Sequence, residues 1–339
     1  MLGRDDEHVA ALERAHQAHT DPLAAARAAF WIGTNLTLRG ESRAAGWFGR
    51  ARRLVEREGR ECVEQGYLAL ARMFELQASG DEEAAIAAAA EAAQFGERFR
   101  DADLFALAAQ EQGIMLIVRG RVGEGLALLD EAMVAVTAGE LSPMVNGFVY
   151  CGVITGCQAA YEPRRAREWT AALTRWCESQ PDLVSFTGTC LVHRAELLQL
   201  HGDWREALEE ARRARERCEA ARNARVAAQA RYRQGELHRL RGEDDAAEAA
   251  YREASRGGCE PQPGLALLRL AQGQVETATA AIRRLLAETG DPVGRARLLP
   301  AAIEVQLAAG DLDAAQAACD ELAGLAQRGG MLGALADHS

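Results

Sequence analysis

Lysine is absent from this sequence: all 39 basic residues among its 339 residues are arginine. The lysine of a phosphate-binding P-loop, the lysine of a kinase fold and a Schiff-base lysine are therefore excluded. Aromatic residues amount to only 5%, although hydrophobic residues reach 48%. Alanine and leucine supply most of the apolar content, which is typical of long helices that pack closely. The composition predicts an all-α chain.

Positive charge is also scarce relative to negative charge, because the net charge is −11. A chain that binds nucleic acid through its phosphates normally carries a basic stripe, so direct nucleic-acid binding is not expected. The sequence has no signal peptide and no apolar run of about 18 residues, which predicts neither secretion nor membrane insertion. The eight cysteines include no CxxC pair, which indicates reduced, mostly buried thiols in a cytoplasmic protein.

A one-glycine turn recurs along the chain at a near-constant interval. Tyr161 stands at the corresponding position after Gly120. The glycines of the turn are Gly40, Gly80, Gly120, Gly202, Gly242, Gly273 and Gly310. Glycine can end a helix in the left-handed conformation without steric cost, and the Asp or Glu that often follows suits the positive end of the next helix. Each turn therefore predicts a helical hairpin.

These hairpins predict an all-α fold: an α-solenoid of about eight tetratricopeptide-like helical hairpins in a right-handed superhelix. Its period is near 40 residues, longer than the standard period of about 34. A small residue follows each turn by five positions, which allows the two helices to approach closely. These residues are Ala45, Ala85, Gly125, Ala166, Ala207, Ala247, Ala278 and Ala315.

The repeats divide the chain into three parts. Residues 1–256 are predicted to hold a half repeat and six hairpins. Residues 257–263 form a Gly/Pro break, because no other segment has glycine and proline at that density. Residues 264–339 are predicted to hold two further hairpins and a truncated helix of the same solenoid.

Four fragments resemble the tetratricopeptide-like region of actinobacterial LuxR-type helix-turn-helix regulators. They are AAGWFGRARRL at 44–54, GRVGEGLALLDEA at 120–132, VHRAELL at 192–198 and PGLALLRLAQG at 263–273. The resemblance covers nearly the whole chain. It implies an array that precedes a C-terminal DNA-binding domain and binds an inducer or a partner protein. No LuxR-type helix-turn-helix occurs before Ser339, so the chain is either a piece of such a regulator or a stand-alone scaffold that assembles partner proteins without DNA binding.

Polar residues lie deep in the first helices of the central hairpins, on the side that lines the concave face of tetratricopeptide arrays. Nine and eight residues before the turn stand Glu111 and Gln112, His193 and Arg194, and Arg233 and Gln234; nearby are Tyr150, Glu196, Arg231, Tyr232 and Glu236. They predict a groove for a peptide or a small effector. In this groove Arg194 and Arg231 would bind a carboxylate or phosphate, and Tyr150 or Tyr232 would stack on an apolar group. The alternative is an internal ion-pair network, for example Arg194 with Glu196 or Glu236.

No catalytic or metal-binding constellation stands out. His16 and His19 have metal-ligand spacing, but a solvated N-terminal helix is the preferred interpretation. Ser185, Thr187 and Thr189 precede His193 without a nucleophile elbow. The sequence thus predicts a non-enzymatic module without cofactor or metal, whose partner is a protein, a peptide or a small effector. Uncapped solenoid ends would expose apolar helix faces, which predicts homodimerisation.

Overall fold

The computed structural model of the chain describes residues 5–38, 41–179, 184–220 and 223–329, and these ranges contain seventeen α-helices and no strand. The helices are α1 (Asp5–Ala18), α2 (Pro22–Leu38), α3 (Ala44–Glu58), α4 (Glu64–Ser79), α5 (Glu82–Phe99), α6 (Ala102–Val118), α7 (Val122–Thr137), α8 (Pro143–Ala159), α9 (Pro163–Ser179), α10 (Val184–Leu200), α11 (Trp204–Ala220), α12 (Ala224–Leu240), α13 (Asp244–Arg256), α14 (Gly264–Ala271), α15 (Val275–Glu288), α16 (Pro292–Ala308) and α17 (Leu312–Gly329). The predicted all-α helical-repeat fold is confirmed. The predicted turn at Gly40 and the truncated helix at 330–339 lie outside the described residues.

The helices form two compact units. The first comprises residues 1–115 and 127–153, and the second comprises residues 116–126 and 154–339. In the first unit α2 packs against α3 and α4 against α5. In the second unit the pairs are α10 with α11, α12 with α13, α14 with α15, and α16 with α17. No described helix combines the length and apolar character needed to cross a bilayer.

The predicted turn residues have the backbone conformation that the repeat requires. Left-handed φ angles occur at Gly80, Gly120, Gly202, Gly242, Gly273 and Gly310. At Gly80 the Asp81 amide donates to Leu76 O at 3.0 Å, which satisfies a free carbonyl at the end of α4. The Asp81 carboxylate then accepts the Ala84 amide at 3.2 Å and caps α5. One turn thus ends one helix and begins the next.

The predicted small residues are buried where the hairpin helices approach closely. Ala85, Ala166, Ala207, Ala247 and Ala278 have no exposed surface, and Ala315 is 3% exposed. The prediction is wrong for Ala45, which is exposed, whereas Ala44 and Phe48 are buried. Helix α3 begins only at Ala44, so its buried face is shifted relative to the other repeats.

The predicted Gly/Pro segment at 257–263 separates α13 from α14. Gly258 is left-handed, with φ of 83°, and the Cys259 amide donates to Ala254 O at 3.0 Å, which ends α13. Helix α14 has only eight residues and is the shortest described helix. This short helix accounts for the reduced spacing between Gly242 and Gly273.

Candidate functional site

Polar side chains of the second unit form a hydrogen-bonded network across three first helices of successive hairpins. Gln158 lies on α8, His193 and Glu196 lie on α10, and Arg233 lies on α12. His193 Nδ1 is 3.0 Å from Gln158 Oε1, and Gln158 Nε2 donates to Glu196 Oε2 at 2.7 Å. Arg233 Nη2 lies 2.6 Å from Glu196 Oε1. These four residues are referred to below as the α8–α12 network.

The network holds His193 in one tautomer. Because the Gln158 amide nitrogen donates to Glu196, the Gln158 carbonyl oxygen faces His193, and His193 Nδ1 must carry the hydrogen. His193 Nε2 is therefore an acceptor, and it is buried without a hydrogen-bond partner among the described residues. Burial lowers the pKa of His193 to about 4, with Glu196 opposing the shift. The ring is thus neutral near pH 7 and offers one unused acceptor.

The Arg233 and Glu196 side chains form an ion pair that is about three-quarters shielded from solvent, at 23% and 22% exposure. Burial lowers the pKa of Arg233, but Glu196, Tyr232 and Glu236 together raise it by more, and the net shift is upward. The Arg233 guanidinium is therefore charged. Removing one partner would leave the other as an uncompensated, largely buried charge.

Tyr161 lies beside this network and occupies the place that glycine takes in the other hairpin turns. Its φ is 54°, and the Glu162 amide donates to Cys157 O at 2.8 Å as in the glycine turns. The ring packs against the apolar cluster of α16 and α17 that includes Leu299 and Ile303. Burial raises the pKa of Tyr161 to about 12, and the Arg297 guanidinium beside the hydroxyl opposes this shift. The turn thus joins α8 to α16 within the second unit.

Position within the repeat decides which predicted residues face the network. The position nine residues before the left-handed turn glycine is occupied by Glu111, His193 and Arg233. Of these, His193 and Arg233 belong to the network. Eight residues before the turn glycine stand Arg194 and Gln234, which contact α11 instead. Arg194 Nη2 is 3.3 Å from Glu206 Oε1, and Gln234 Nε2 donates to Ala211 O at 3.2 Å.

Arg231 lies away from the network, whereas the Tyr232 ring contacts the Arg233 guanidinium, whose Cζ lies 5.7 Å from the ring centroid. Arg231 pairs with Glu219 on α11 at 2.5 Å and with Glu253 on α13 at 3.3 Å. The Tyr232 ring lies 5.8 Å from the Tyr251 ring in an apolar cluster formed by α12, α13 and α14. These contacts join neighbouring helices of the second unit.

The predicted alternative named partners for Arg194 that the structure does not bring to it. Glu196 pairs with Arg233, and Glu236 pairs with Arg239 at 3.1 Å and accepts from Tyr251 Oη. Arg194 instead contacts Glu206 and lies 3.9 Å from Glu210. Internal ion pairs are present, but between other residues.

Glu111, Gln112 and Tyr150 lie in the first unit. Tyr150 is buried at 7% exposure on α8, and Gln112 is half-buried on α6. Glu111 is half-buried, and its Oε1 accepts from Gln110 Nε2 at 3.0 Å. Burial raises the pKa of Glu111 to about 7, and the Gln110 hydrogen bond opposes this shift.

Sequence reasoning missed Gln158, Tyr161 and Arg297 as site residues. Tyr161 had a signal, since it interrupts a series of glycines at a position that requires φ above zero. Gln158 and Arg297 had no such signal, because nothing in the sequence distinguishes them from the other glutamines and arginines of the chain.

The residues weighed for metal or thiol chemistry have structural surroundings. His16 is 6% exposed, its Nδ1 lies 2.8 Å from Ala25 O, and its ring contacts Trp47 edge-on, so the expectation of a solvated His16 is wrong. The cysteines form no disulfide, and five are buried: Cys62, Cys157, Cys177, Cys190 and Cys218. Among the described residues no three His, Cys, Asp or Glu side chains are arranged to hold a metal ion.

The fold is similar to the folds of solved structures of helical-repeat proteins. The class is that of helical-repeat proteins of the tetratricopeptide-like type. No protein-family model matches the chain, and no curated protein matches it.

Solved structures similar to this chain include two Rap proteins and a phosphatase. A Rap protein in complex with competence and sporulation factor has a TM-score of 0.66 and 14% identity over 98% of this chain and 95% of its own. The apo form of RapI has a TM-score of 0.57 and 9% identity, with coverage of 95% and 92%. Aspartyl phosphate phosphatase F from Bacillus subtilis has a TM-score of 0.56 and 13% identity, with coverage of 97% and 94%. At these identities the likeness shows the fold alone.

Proposed function

We propose that the second unit is a non-catalytic binding module that holds a peptide segment against the α8–α12 network. The observation that carries this proposal is His193 Nε2, a buried acceptor without a partner among the described residues. A buried polar atom without a partner costs free energy, and a ligand that donates to it recovers that cost. A backbone amide N–H of a peptide is a donor of the required kind.

Arg297 supplies the second contact that we propose for the peptide. Its side chain is exposed, lies beside the Tyr161 hydroxyl and forms no ion pair among the described residues. A guanidinium in this state can bind a carboxylate through two parallel hydrogen bonds. We therefore propose that the peptide presents a carboxylate to Arg297. This assignment replaces Arg194 and Arg231, whose guanidinium groups already have carboxylate partners.

The structural neighbours support binding as a use of this fold. One of them is a Rap protein in complex with competence and sporulation factor. Another is named an aspartyl phosphate phosphatase, and that activity is not transferred to this chain because 13% identity carries only the fold. A peptide-binding role without catalysis is the simplest function that the α8–α12 network supports.

The test is selection of peptides by the purified chain from a random display library, followed by calorimetric titration of the enriched peptides. His193→Leu removes the acceptor and should weaken binding by about tenfold or more, since a buried donor on the peptide would lose its partner. Arg297→Ala should weaken the binding of peptides that carry a carboxylate. His201→Leu is the matched control because His201 is exposed just beyond α10.

Two outcomes would contradict the proposal. One is a library that enriches no sequence. The other is a set of enriched peptides that bind the His193→Leu and His201→Leu variants with equal affinity. In either case the α8–α12 network would be a structural element that fixes the packing of α8, α10 and α12.

We further propose, from the four sequence fragments alone, that this module serves a LuxR-type transcriptional regulator as its sensing region. The observation that favours this role is the resemblance of residues 44–54, 120–132, 192–198 and 263–273 to that family. An encoding reading frame that continues beyond Ser339 into a helix-turn-helix would support it. A frame that ends there would favour the stand-alone scaffold, and a monodisperse monomer in sedimentation measurements would also count against a truncated regulator.

A further inference from the structure

Two hydrogen-bond acceptors lie side by side on α6 in the first unit. Gln110 Nε2 donates to Glu111 Oε1 at 3.0 Å, and no other hydrogen bond of the Glu111 carboxyl occurs among the described residues. Gln110 is 3% exposed, and its Oε1 is buried without a partner in that same part of the chain. The Glu111 carboxylate and the Gln110 amide oxygen therefore offer more acceptor positions than the two N–H donors of the Gln110 amide can fill, and one of those donors is already used. A group that brings only donors would complement the pair.

Glu111 differs from the two glutamates that are buried in the described residues. Glu64 pairs with Arg27 at 2.9 Å, and Glu210 pairs with Arg213 at 3.1 Å. Glu111 has no arginine partner in the described ranges, and burial raises the pKa of its half-buried carboxyl. Such a carboxyl is a binding-site candidate rather than a member of an ion-pair network.

Helix α8 fixes the position of this pair. Gly152 packs so closely that a Cβ atom there would lie 2.2 Å from Gln110 Cδ. One helical turn earlier on α8, Phe148 stacks with Trp31 of α2 at a centroid distance of 6.4 Å and an interplanar angle of 11°. Both rings are half-buried. The α8 segment from Phe148 to Gly152 thus packs against both α2 and α6.

We propose that Glu111, supported by Gln110, binds a cationic nitrogen group of a ligand, either an ammonium or a guanidinium. Such a group donates several hydrogen bonds and accepts none, so it satisfies the Glu111 carboxylate and brings the missing positive charge. This site belongs to the first unit and does not depend on the peptide site proposed for the second unit. Its ligand is a small amine or a basic side chain of a peptide.

The experiment is saturation-transfer NMR of the whole chain with two probes at millimolar concentration. The first probe is agmatine, and the second is the blocked tripeptide acetyl-Gly-Arg-Gly-amide; butylurea is the uncharged control. Glu111→Gln keeps the size of the side chain and removes its charge, so the transfer signal of the bound probe should fall by about tenfold. Glu131→Gln, at an exposed position of α7 in the same unit, should leave the signal unchanged.

The two probes distinguish the ligand sources. A signal from agmatine alone assigns the site to a small amine, and a stronger signal from the tripeptide assigns it to a basic side chain. The signal should also grow from about pH 6 to about pH 8 in the wild type and not in Glu111→Gln, because only the ionised carboxylate attracts a cation. The proposal would be overturned if neither probe gave a signal, or if Glu111→Gln and Glu131→Gln gave equal signals.

Discussion

Arg100 and Tyr161 are the residues other than glycine that have a left-handed backbone in the described chain, each with φ of 54°. The second helices of other hairpins end at Gly59, Gly139 and Gly258 in the same conformation. A side chain in this conformation costs about 1–2 kcal/mol. The buried ring of Tyr161 offsets that cost by packing against α16 and α17. Arg100 is exposed, so no packing of its side chain offsets the cost.

Replacing Arg100 with glycine should therefore stabilise the protein. We expect Arg100→Gly to raise the free energy of unfolding by about 1 kcal/mol, because the left-handed turn loses its steric cost. Arg100→Ala is the control, since it keeps a Cβ atom and removes only the guanidinium. Urea denaturation measures both variants. Equal stability of the two variants would mean that the conformation at residue 100 carries no strain.

Glu111 should make stability fall as the pH rises. Burial raises its pKa from 4.5 to about 7, and Gln110 is the side chain that opposes the shift. Between these values the folded state binds a proton that the unfolded state releases, so stability is full below about pH 4.5 and is lost as pH rises through about 7. Glu111→Gln should remove this dependence and gain about 2–3 kcal/mol relative to the wild type above pH 7.

The measurement is a series of urea unfolding curves for both proteins across this pH range. Parallel pH profiles for the wild type and Glu111→Gln would contradict a buried, ionisable carboxyl at this position. Glu131→Gln again serves as the control, because an exposed carboxyl titrates similarly in both states.

At the scale of helices, the closest approach of α5 to α6 depends on Gly96. A Cβ atom at this position would lie 2.6 Å from Phe105 N and 2.7 Å from Phe105 Cα, which are backbone atoms that cannot rotate away. Gly96→Ala should therefore lower the free energy of unfolding by about 1–3 kcal/mol. Gly49→Ala in α3 is the matched variant, because its nearest atom is Arg53 Nη1 at 3.6 Å. It should gain about 0.5–1 kcal/mol.

Thermal unfolding followed by circular dichroism compares the two glycine variants directly. Similar melting temperatures for Gly96→Ala and Gly49→Ala would contradict the close approach of α5 and α6.

The hairpin turns were predictable from sequence because a left-handed helix end is a local requirement. Gly80 and Gly120 meet that requirement within a few residues, and the following residues begin the next helix. The beginning of α3 at Ala44 was not predictable from the repeat alone, since most other second helices begin two residues after the turn glycine and α3 begins four residues after position 40. The direction in which the Arg194 side chain points was not predictable either. Adjacent helical residues point about 100° apart, so one position decides whether a side chain meets α11 or the α8–α12 network.

At the scale of the molecule, Tyr161 connects parts of the second unit that are far apart in sequence. Repeats in a solenoid normally contact only their neighbours, but Tyr161 at the end of α8 packs against α16. We expect Tyr161→Ala to reduce the hydrogen-exchange protection of α16 by about 1–2 kcal/mol, because part of a buried aromatic contact is lost. Tyr161→Phe keeps the ring and should keep the protection. Loss of protection confined to α8 and α9 would contradict this connection.

Such a contact could not be predicted from the sequence. A repeat pattern predicts that each hairpin packs against the hairpins next to it in sequence. It does not predict contacts between hairpins that are far apart in sequence. The same limit applies to the α8–α12 network, whose members Gln158, His193 and Arg233 come from three hairpins. The sequence gives the position of each residue within its own repeat, but it does not show which residues of different repeats contact each other.

The recurring left-handed turn also gives this architecture a simple way to change its length. The chain has the same local conformation at Gly202 and at Gly242, and each glycine ends a first helix and precedes a second helix. Deleting the segment between two such glycines would rejoin chain ends of matching geometry, and duplicating it would insert one complete structural period. Gene rearrangements that fall at these turns can therefore add or remove binding surface in whole steps without requiring a new core.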